Sequence, residues 1–369
     1  MKTKRGAISK DLPKLRSAQI QLLERLCNAI SVSGDEGEVR EIVLEQVKPY
    51  ADEVKIDALG NVLVTRKGIT RRSDTRCMRV MLAAHMDEVG FMIVNDEGEG
   101  IFRFSVVGGI DSRQLPGHAV KVGSDHIPAV IGAKPVHLVE ESDLKHVFPL
   151  DDLRIDAGPG NGKGGKIKVG DWATFAIRFK RIGPSLRAKA LDDRVGVASL
   201  IELVKHAPAN IDLLAAFTVQ EEVGLRGAGV AAYAFDPDMA IVLDCTPAND
   251  LPDWHGEENI QYNTHLGAGP AIYTADRATL SDPRLVRFFI ETAEVQGIPY
   301  QLRQPGGGST DAGAIHRQRI GIPSISISVP TRYPHTAASI ARFSDWQNTF
   351  SLVYIALSQL TSDVIAGER

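Results

Sequence analysis

The sequence feature that most constrains the fold is a change of pattern in the middle of the chain. Before about residue 90 and after Pro184, apolar strand-like runs alternate with segments of helical period. Between Gly90 and Gly183, short alternating strands are separated by glycines, and no segment keeps a helical period. We therefore predict an α/β domain made of residues 1–89 and 184–369, interrupted by an inserted β-rich module or barrel of residues 90–183.

Within the α/β part, the alternation of strands and helices predicts a largely parallel sheet covered by helices on both faces. Helices are predicted at residues 15–30, 38–47, 191–206, 225–234, 283–296 and 345–360, and strands at residues 54–57, 62–65, 79–84, 213–219, 239–243 and 324–329. In the insertion, strands are predicted at residues 91–94, 102–106, 119–122, 129–131 and 172–179. Ser33 and Glu36 resemble a capping box for the second helix.

Length, charge and cysteine content exclude several classes of protein. The 369 residues suit two domains of ~150 residues each, and the net charge of −4 gives no reason to expect nucleic-acid binding. No apolar run reaches the ~18 residues of a membrane span, and no apolar segment follows the basic start, so we expect neither a membrane anchor nor a signal peptide. Cys27, Cys77 and Cys245 are widely spaced, which fits a reducing compartment, and we predict a cytoplasmic protein.

Acidic residues and histidines follow several of the predicted strands, where ligand sites gather in open α/β sheets. His85 and Asp87 follow strand 79–84, Glu221 and Glu222 follow strand 213–219, Asp244 follows strand 239–243, His335 comes shortly after strand 324–329, and Asp192 and Asp193 precede an apolar helical run. Clustered carboxylates repel one another unless cations neutralise them. Imidazole together with carboxylate suits zinc, cobalt or manganese better than calcium, so the pattern predicts divalent metal binding.

Each of these residues also has an ordinary structural explanation when it is taken alone. The ordinary roles are a core histidine for His85, helix capping for Asp192 or Asp193, solvated loop acids for Glu221 and Glu222, and a turn for His335. For Asp193 we expect such a capping role or a supporting role. Asp244 is harder to explain in this way, because the apolar run before it indicates depth.

The joint pattern is more specific than any single residue. The segments that carry it are, in chain order, His85-Met86-Asp87-Glu88-Val89-Gly90, Ala190-Leu191-Asp192-Asp193-Arg194, Gln220-Glu221-Glu222-Val223-Gly224, Asp244, Gly307-Gly308-Ser309-Thr310-Asp311-Ala312-Gly313-Ala314 and Pro330-Thr331-Arg332-Tyr333-Pro334-His335. Together they resemble the glutamyl aminopeptidase and tetrahedral (TET) aminopeptidase family of di-metal peptidases. The resemblance spans most of the chain, including the insertion.

The resemblance implies a role for each site residue and two divalent metal ions per subunit, with zinc first and cobalt or manganese as alternatives. Asp192 would bridge both ions, His85 and Asp244 would complete one site, Glu222 and His335 would complete the other, Glu221 would be the general base, and Asp87 would orient His85. The implied fold is a zinc-peptidase-like mixed sheet flanked by helices, with a small β-barrel domain inserted for dimerisation. The implied substrates are peptides with a free N-terminus, and the implied assembly is six dimers in a tetrahedral dodecamer.

Two other functions stay open at this stage. Related two-metal folds act as amidohydrolases or deacylases of small N-acyl compounds, and the ligands alone do not separate these from aminopeptidases. A non-catalytic metal-binding scaffold would need the ligands but would have no use for Glu221. The sequence also does not indicate which N-terminal residue of a peptide the enzyme prefers. The motif that contains Arg332 is shared by family members that prefer different N-terminal residues.

Overall fold

The computed structural model describes residues 13–69, 76–140, 146–147, 149–161, 165–252 and 264–369. Residues 1–12, with most of the basic start, lie outside the described residues. The helices are α1 (Ser17–Asn28), α2 (Gly37–Val47), α3 (Leu191–Lys205), α4 (Arg226–Phe235), α5 (Pro283–Gln296), α6 (Ala312–Ile315), α7 (Phe343–Gln359) and α8 (Asp363–Ala366). None of the helices in this part of the chain combines the length and the apolar character that crossing a bilayer requires.

The strands fall into one large sheet and one closed barrel. Those of the large sheet are β1 (Glu53–Ile56), β2 (Val62–Arg66), β3 (Met78–His85), β10 (Lys180–Ile182), β11 (Ser185–Ala188), β12 (Ile211–Thr218), β13 (Met239–Pro247), β14 (Ala271–Tyr273), β15 (Gln301–Arg303), β16 (Ser324–Arg332) and β17 (Ser339–Arg342). Those of the barrel are β4 (Gly90–Gly98), β5 (Ile101–Val107), β6 (Ala119–Val122), β7 (Ile127–Gly132), β8 (Arg154–Asp156) and β9 (Trp172–Phe175).

The large sheet is mixed, as the family resemblance implied. Its order is β1-β2-β12-β3-β13-β16-β17-β11-β10, with β14 and β15 beside β16. The central strands β12, β3, β13 and β16 run parallel, whereas the pairs β1–β2, β2–β12, β16–β17 and β10–β11 are antiparallel. The largely parallel sheet expected from the alternation of elements is therefore found only at the centre.

The central strands bury both faces against helices because their side chains alternate. In β3, Val80 and Leu82 join the core that contains α1, α2, α3, α5 and α7, whereas Met81 and Ala83 face the smaller core under α4 and α6. Successive strand residues point to opposite faces of a sheet, so a strand that is apolar throughout is covered on both sides. The near-continuous apolar run of β3 has this cause.

The barrel closes in the order β4-β5-β8-β7-β6-β9 and has its own apolar interior. Phe91 packs edge-on against Phe104 and Phe175, with ring centroids 5.2 and 5.3 Å apart. Only four residues separate the end of β3 at His85 from the start of β4 at Gly90. This short connection fixes the barrel next to the carboxyl end of β3.

Three local expectations differ from the structure. Strand β13 continues to Pro247, so Asp244 lies within the strand and does not follow it. The strand expected at residues 172–179 ends at Phe175. The expected capping box is wrong. The N-cap of α2 is Glu36, whose side chain does not cap the helix, and the Ser33 hydroxyl donates to Asp87 at 2.6 Å.

Candidate metal centre and active site

The predicted site residues lie on different elements that meet at one edge of the large sheet. His85 is the last residue of β3, Glu221 and Glu222 follow β12, Asp244 lies near the end of β13, Asp192 is in the first turn of α3, and His335 follows β16. Because β3, β12, β13 and β16 are parallel, their carboxyl ends meet at the same edge. All six side chains line one cavity of about 550 Å³.

The Asp192 carboxylate lies between two groups of potential ligands. Its Oδ1 is 3.1 Å from Nε2 of His85, and that nitrogen is 3.8 Å from Oδ1 of Asp244. Its Oδ2 is 3.6 Å from Nε2 of His335, and that nitrogen is 3.2 Å from Oε2 of Glu222. One carboxylate thus presents an oxygen to each of two His–carboxylate pairs, which is the arrangement that a bridging ligand needs.

Both imidazoles turn the same nitrogen towards the carboxylates. Nδ1 of His85 is 3.1 Å from the Asp87 carbonyl oxygen, and Nδ1 of His335 is 2.8 Å from the Gly109 carbonyl oxygen. A carbonyl oxygen only accepts, so Nδ1 of each ring carries a proton. Nε2 faces the cavity, where it offers a lone pair to a cation once it is deprotonated. Metal-binding histidines typically have their second nitrogen fixed in this way.

The pKa values of the clustered carboxyl and imidazole groups also indicate that the cavity binds cations. Burial, with the charge of Asp192, raises the pKa of Glu222 to about 7. Burial and the charges of Asp192 and Asp193 raise the pKa of Asp244 well above its usual range. Burial opposes protonation of His335, but a hydrogen bond to Asp192 and the charge of Glu222 raise its pKa to about 9. These carboxylates resist ionisation together, and divalent cations remove that conflict, so the residues fit metal binding.

The Asp87 carboxylate does not line the cavity, but it accepts three hydrogen bonds from residues around it. It is fully buried and accepts from the backbone amide of Glu221 at 3.0 Å, from the amide of Glu222 at 3.1 Å and from the Ser33 hydroxyl at 2.6 Å. Its Oδ1 is 3.4 Å from Nδ1 of His85. Asp87 therefore connects the loop after β12 to the imidazole at the end of β3.

Asp193 and Asp311 are two further buried acids near the cavity. Oδ1 of Asp193 accepts from the Gly196 amide at 3.0 Å, while its Oδ2 has no hydrogen-bond partner among the described residues. A ligand atom of Asp193 also lies within 4.8 Å of ligand atoms of His85 and Asp244. Oδ2 of Asp311 accepts from the Thr218 hydroxyl at 2.5 Å, and its Oδ1 has no hydrogen-bond partner in the described part of the chain. Its charge contributes to the raised pKa of Glu221, where burial is the largest cause.

Backbone conformation is unusual where the site loops turn. His335 has a φ of 58° and Gln220, immediately before Glu221, has a φ of 56°. Non-glycine residues rarely adopt the left-handed region, and such residues cluster at functional sites. Gly109 belongs to the predicted insertion, so the segment between β5 and β6 completes the surroundings of His335.

Sequence reasoning missed a buried ion network that supports the site. Nζ of Lys189 lies 2.5 Å from Oε1 of Glu88, and the Arg194 guanidinium lies 3.3 Å from the same oxygen. Arg194 also donates to the carbonyl oxygens of Met86 and Asp87, which flank the turn after His85. Glu88 and Arg194 stand beside predicted ligands in the motifs, but sequence alone gave no reason to pair them.

Comparisons with known proteins identify a family and a shared fold. The profile described as M42 glutamyl aminopeptidase matches residues 60–352. The lysyl aminopeptidase of Pyrococcus furiosus is 31% identical over 350 residues, with 92% of this chain and 97% of the relative covered.

Two solved structures share the fold over nearly their whole length. A TET aminopeptidase from a marine sediment archaeon of the Thaumarchaeota superposes with a TM-score of 0.88 at 35% identity, covering 94% of this chain and 98% of that one. The Pyrococcus horikoshii TET1 peptidase, which can assemble into a tetrahedron or a large octahedral shell, gives a TM-score of 0.79 at 32% identity, with coverages of 93% and 100%.

Proposed function

The chain belongs to the M42 glutamyl aminopeptidase family, and we propose that it removes single residues from the N-termini of peptides with two bound metal ions and a glutamate base. Membership makes it a peptide-bond hydrolase of a metal-dependent family. The observation that carries the two-metal proposal is Asp192, whose two oxygens face two separate His–carboxylate pairs.

In this proposal, five side chains would hold the metals. Asp192 would be shared by both sites, His85 and Asp244 would complete one, and Glu222 and His335 would complete the other. When bound, two such cations supply Lewis acidity for the scissile carbonyl and for water. Zinc is the proposed ion, and the same nitrogen and oxygen ligands accept cobalt or manganese.

Glu221 is the proposed proton carrier. It lines the cavity beside Glu222. Among the described residues, its carboxylate forms no ion pair with a lysine, an arginine or a histidine. Burial, then repulsion by Glu222 and Asp311, raises its pKa well above the usual range of a glutamate. A carboxylate tuned upwards in this way can take a proton from the attacking water and return it to the leaving amine.

Asp87 is the proposed positioning residue for this step. Because it accepts the amides of Glu221 and Glu222 together, it fixes the direction in which each of the two adjacent side chains leaves the backbone. One side chain then faces His335, while the other stays available for water.

The experiment that tests the proposal compares substrates and one variant. Metal-supplemented protein should hydrolyse aminoacyl-anilides and leave N-acetylated amino acids intact, because an aminopeptidase requires the free amine. Glu221→Gln should reduce turnover by at least about 100-fold while the bound metal content is unchanged. Hydrolysis of N-acetylated compounds instead would indicate a deacylase, and full activity of Glu221→Gln would reject the base.

We also propose that the chain forms a homo-oligomer, with residues 90–183 as a dimerisation domain and six dimers in a tetrahedral dodecamer. The assembly of the P. horikoshii relative supports this. The barrel domain also exposes the apolar side chains of Val136 and Leu138, at 70% and 59%. Contiguous exposed apolar patches mark interaction surfaces, and these two side chains are candidates for part of one. Light scattering after size exclusion should give about twelve times the 40.0 kDa subunit mass, and a monomer would contradict the proposal.

A further inference from the structure

The two histidines of the cavity are held in different ways. The His85 side chain is 3% exposed, whereas the His335 side chain is 38% exposed. Nδ1 of His85 contacts the carbonyl oxygen of Asp87, two residues further along the same turn. Nδ1 of His335 contacts the carbonyl oxygen of Gly109, which is 226 residues away in the chain. The direction of the His335 ring therefore depends on a distant segment.

This distant segment belongs to the barrel. Gly109 lies between β5 and β6, which are both barrel strands. Its carbonyl oxygen is 2.8 Å from Nδ1 of His335, and a Cβ added at Gly109 would lie 3.3 Å from the same nitrogen. A carbonyl that accepts from Nδ1 leaves Nε2 of the ring facing the carboxylates of the cavity. The barrel backbone thus sets the direction in which His335 presents its second nitrogen.

The loop that carries His335 has a second contact with the barrel. It runs from the end of β16 at Arg332 to the start of β17 at Ser339. Ala337 of this loop is 3% exposed and is one of the buried residues of the barrel's apolar interior. Tyr333 and His335 both have a φ of 58°, and residues keep such a conformation when surrounding contacts fix it. The barrel therefore holds the chain after His335 as well as the ring itself.

The residue before Gly109 lies against the acid of the same proposed metal site. Gly108 has a φ of 85°, and a Cβ added there would lie 2.7 Å from Cγ1 of Val89 and 3.4 Å from Cβ of Glu222. Val89 is 4% exposed and lies in the short connection between β3 and β4, so it has little room to move. Glycine is therefore required at residue 108 for the barrel backbone to approach this closely.

A buried contact fixes the barrel to the α/β domain beside this segment. The hydroxyl of Thr174, on barrel strand β9, is buried and donates to Oε2 of Glu88 at 3.1 Å. Glu88 is paired in turn with Lys189 and directly precedes Val89 in the chain. The position of the barrel relative to the acid and histidine cluster is thus set close to the point where Gly108 meets Val89.

We propose that Gly108 and Gly109 are positioning residues for the metal site of Glu222 and His335, so that the barrel completes one of the two proposed metal sites. This inference rests on the proposed function, because it takes Glu222 and His335 as metal ligands. Gly109 acts through the imidazole and Gly108 through the packing of the segment. A histidine whose second nitrogen is held by a fixed acceptor is oriented before the metal arrives, which strengthens binding.

The other proposed site should not depend on the barrel in this way. His85 and Asp244 lie on β3 and β13 of the large sheet, and the carbonyl that orients His85 is that of Asp87. A change in the barrel segment should therefore weaken one metal site and spare the other. A general loss of stability would weaken both.

The test compares two glycine-to-alanine variants of the full chain. Gly108→Ala adds backbone strain at a φ of 85° and a contact with Val89, so it should displace the neighbouring Gly109 carbonyl from His335. Gly117→Ala is the matched control. Gly117 is a barrel residue with a φ of 82°, and among the described residues no atom beyond its chain neighbours lies within 4 Å of a Cβ added there. The control thus has similar strain in the same domain without the contact.

The measurements are titration of manganese against a chelator and anomalous diffraction from manganese-grown crystals. In Gly108→Ala, the affinity for one of two ions should fall about 10- to 100-fold, and the peak near His335 should weaken relative to the peak near His85. Gly117→Ala should keep the wild-type affinities and peak ratio. Ala337→Gly, which removes a methyl group from the barrel interior, should give a smaller change in the same direction and replaces Gly108→Ala if that variant does not fold.

The outcomes separate this inference from the proposed function. Equal weakening of both peaks, or unchanged peaks in Gly108→Ala and Ala337→Gly, would overturn the inference, and hydrolysis of aminoacyl-anilides by the wild type would still support the aminopeptidase. Selective loss of the His335 peak in a protein that hydrolyses no aminoacyl-anilide would support the inference and reject the aminopeptidase alone. A wild type with a peak near His85 only would overturn the inference and the two-metal proposal together, because His335 would not be a ligand.

Discussion

The backbone amide of Glu221 donates a 3.0 Å hydrogen bond to the buried carboxylate of Asp87. The bond joins the proposed proton carrier to the turn that follows the proposed ligand His85. The two loops come from strands β3 and β12, which are hydrogen-bonded neighbours in the sheet. The site is therefore held by backbone contacts as well as by its own charges.

Replacing Asp87 with asparagine should loosen the metal centre. The amide nitrogen of asparagine is a donor and would face other donors, the backbone amides of Glu221 and Glu222 and the Ser33 hydroxyl. We expect metal affinity to fall about 10- to 100-fold, as it does when outer partners of metal-binding histidines are removed. Titration against a competing chelator measures this, and Asp125→Asn, at an exposed barrel position, is the control.

The same substitution should change how stability depends on pH. Burial opposes ionisation of Asp87, but bonds from His85, Ser33 and Glu221 outweigh it and lower the pKa of the carboxyl. A lowered folded-state pKa stabilises the protein above the unfolded pKa, and that contribution is lost as pH falls through the folded one. Urea unfolding of metal-free wild type should lose free energy between neutral and acidic pH, and Asp87→Asn should show a smaller loss. Equal slopes would contradict the assignment.

Removing Lys189 should destabilise the whole α/β domain. Its ammonium is 3% exposed and is the closest partner of buried Glu88, so Lys189→Met leaves that carboxylate with the more distant Arg194. Breaking a buried pair by removing one partner typically costs about 3–5 kcal/mol. The exposed pair Arg25–Glu45 is the comparison, and Arg25→Met should cost much less, because solvent screens an exposed pair. Denaturant unfolding of both variants measures the difference, and equal losses would show that the buried network is not a stabilising element.

Metal binding should release protons near neutral pH. The pKa of His335 is raised to about 9 because Asp192 and Glu222 outweigh the opposing effect of burial, so the ring is protonated at pH 7. A cation must displace that proton from Nε2, and its affinity should therefore fall as pH is lowered below about 9. Calorimetry in buffers of different ionisation enthalpy counts the protons. His126→Gln, outside the cavity, should leave the count unchanged, and a count of zero for wild type would contradict the charge assignment.

The sequence predicted the elements with strong periodicity and missed several of the short strands. The runs around β3, β12 and helix α3 were found because long apolar repeats leave few alternatives. Strands β8, β10, β11, β14, β15 and β17 have three or four residues and no period of their own. Except for β10, which pairs with the adjacent β11, each of them pairs with a strand that lies far away in the chain. Tertiary contacts determine these strands, so local pattern does not reveal them.

For the site, too, the sequence predicts local features but not contacts between distant residues. The ligand residue types stand at strand ends, which a sequence displays directly. Which carboxylate lies between the two histidines depends on three-dimensional placement, as does the hydrogen bond from Ser33 to Asp87. The cytoplasmic location and the identity of the metal stay predictions, because neither leaves a signature in these contacts.

The most direct test of the account is anomalous diffraction from crystals grown with zinc or manganese. Two peaks should appear in the cavity, one near His85 and Asp244 and one near Glu222 and His335, with the Asp192 carboxylate between them. Asp192→Asn should reduce both peaks. A single peak, or two peaks away from Asp192, would contradict the proposal that this residue bridges a pair of ions.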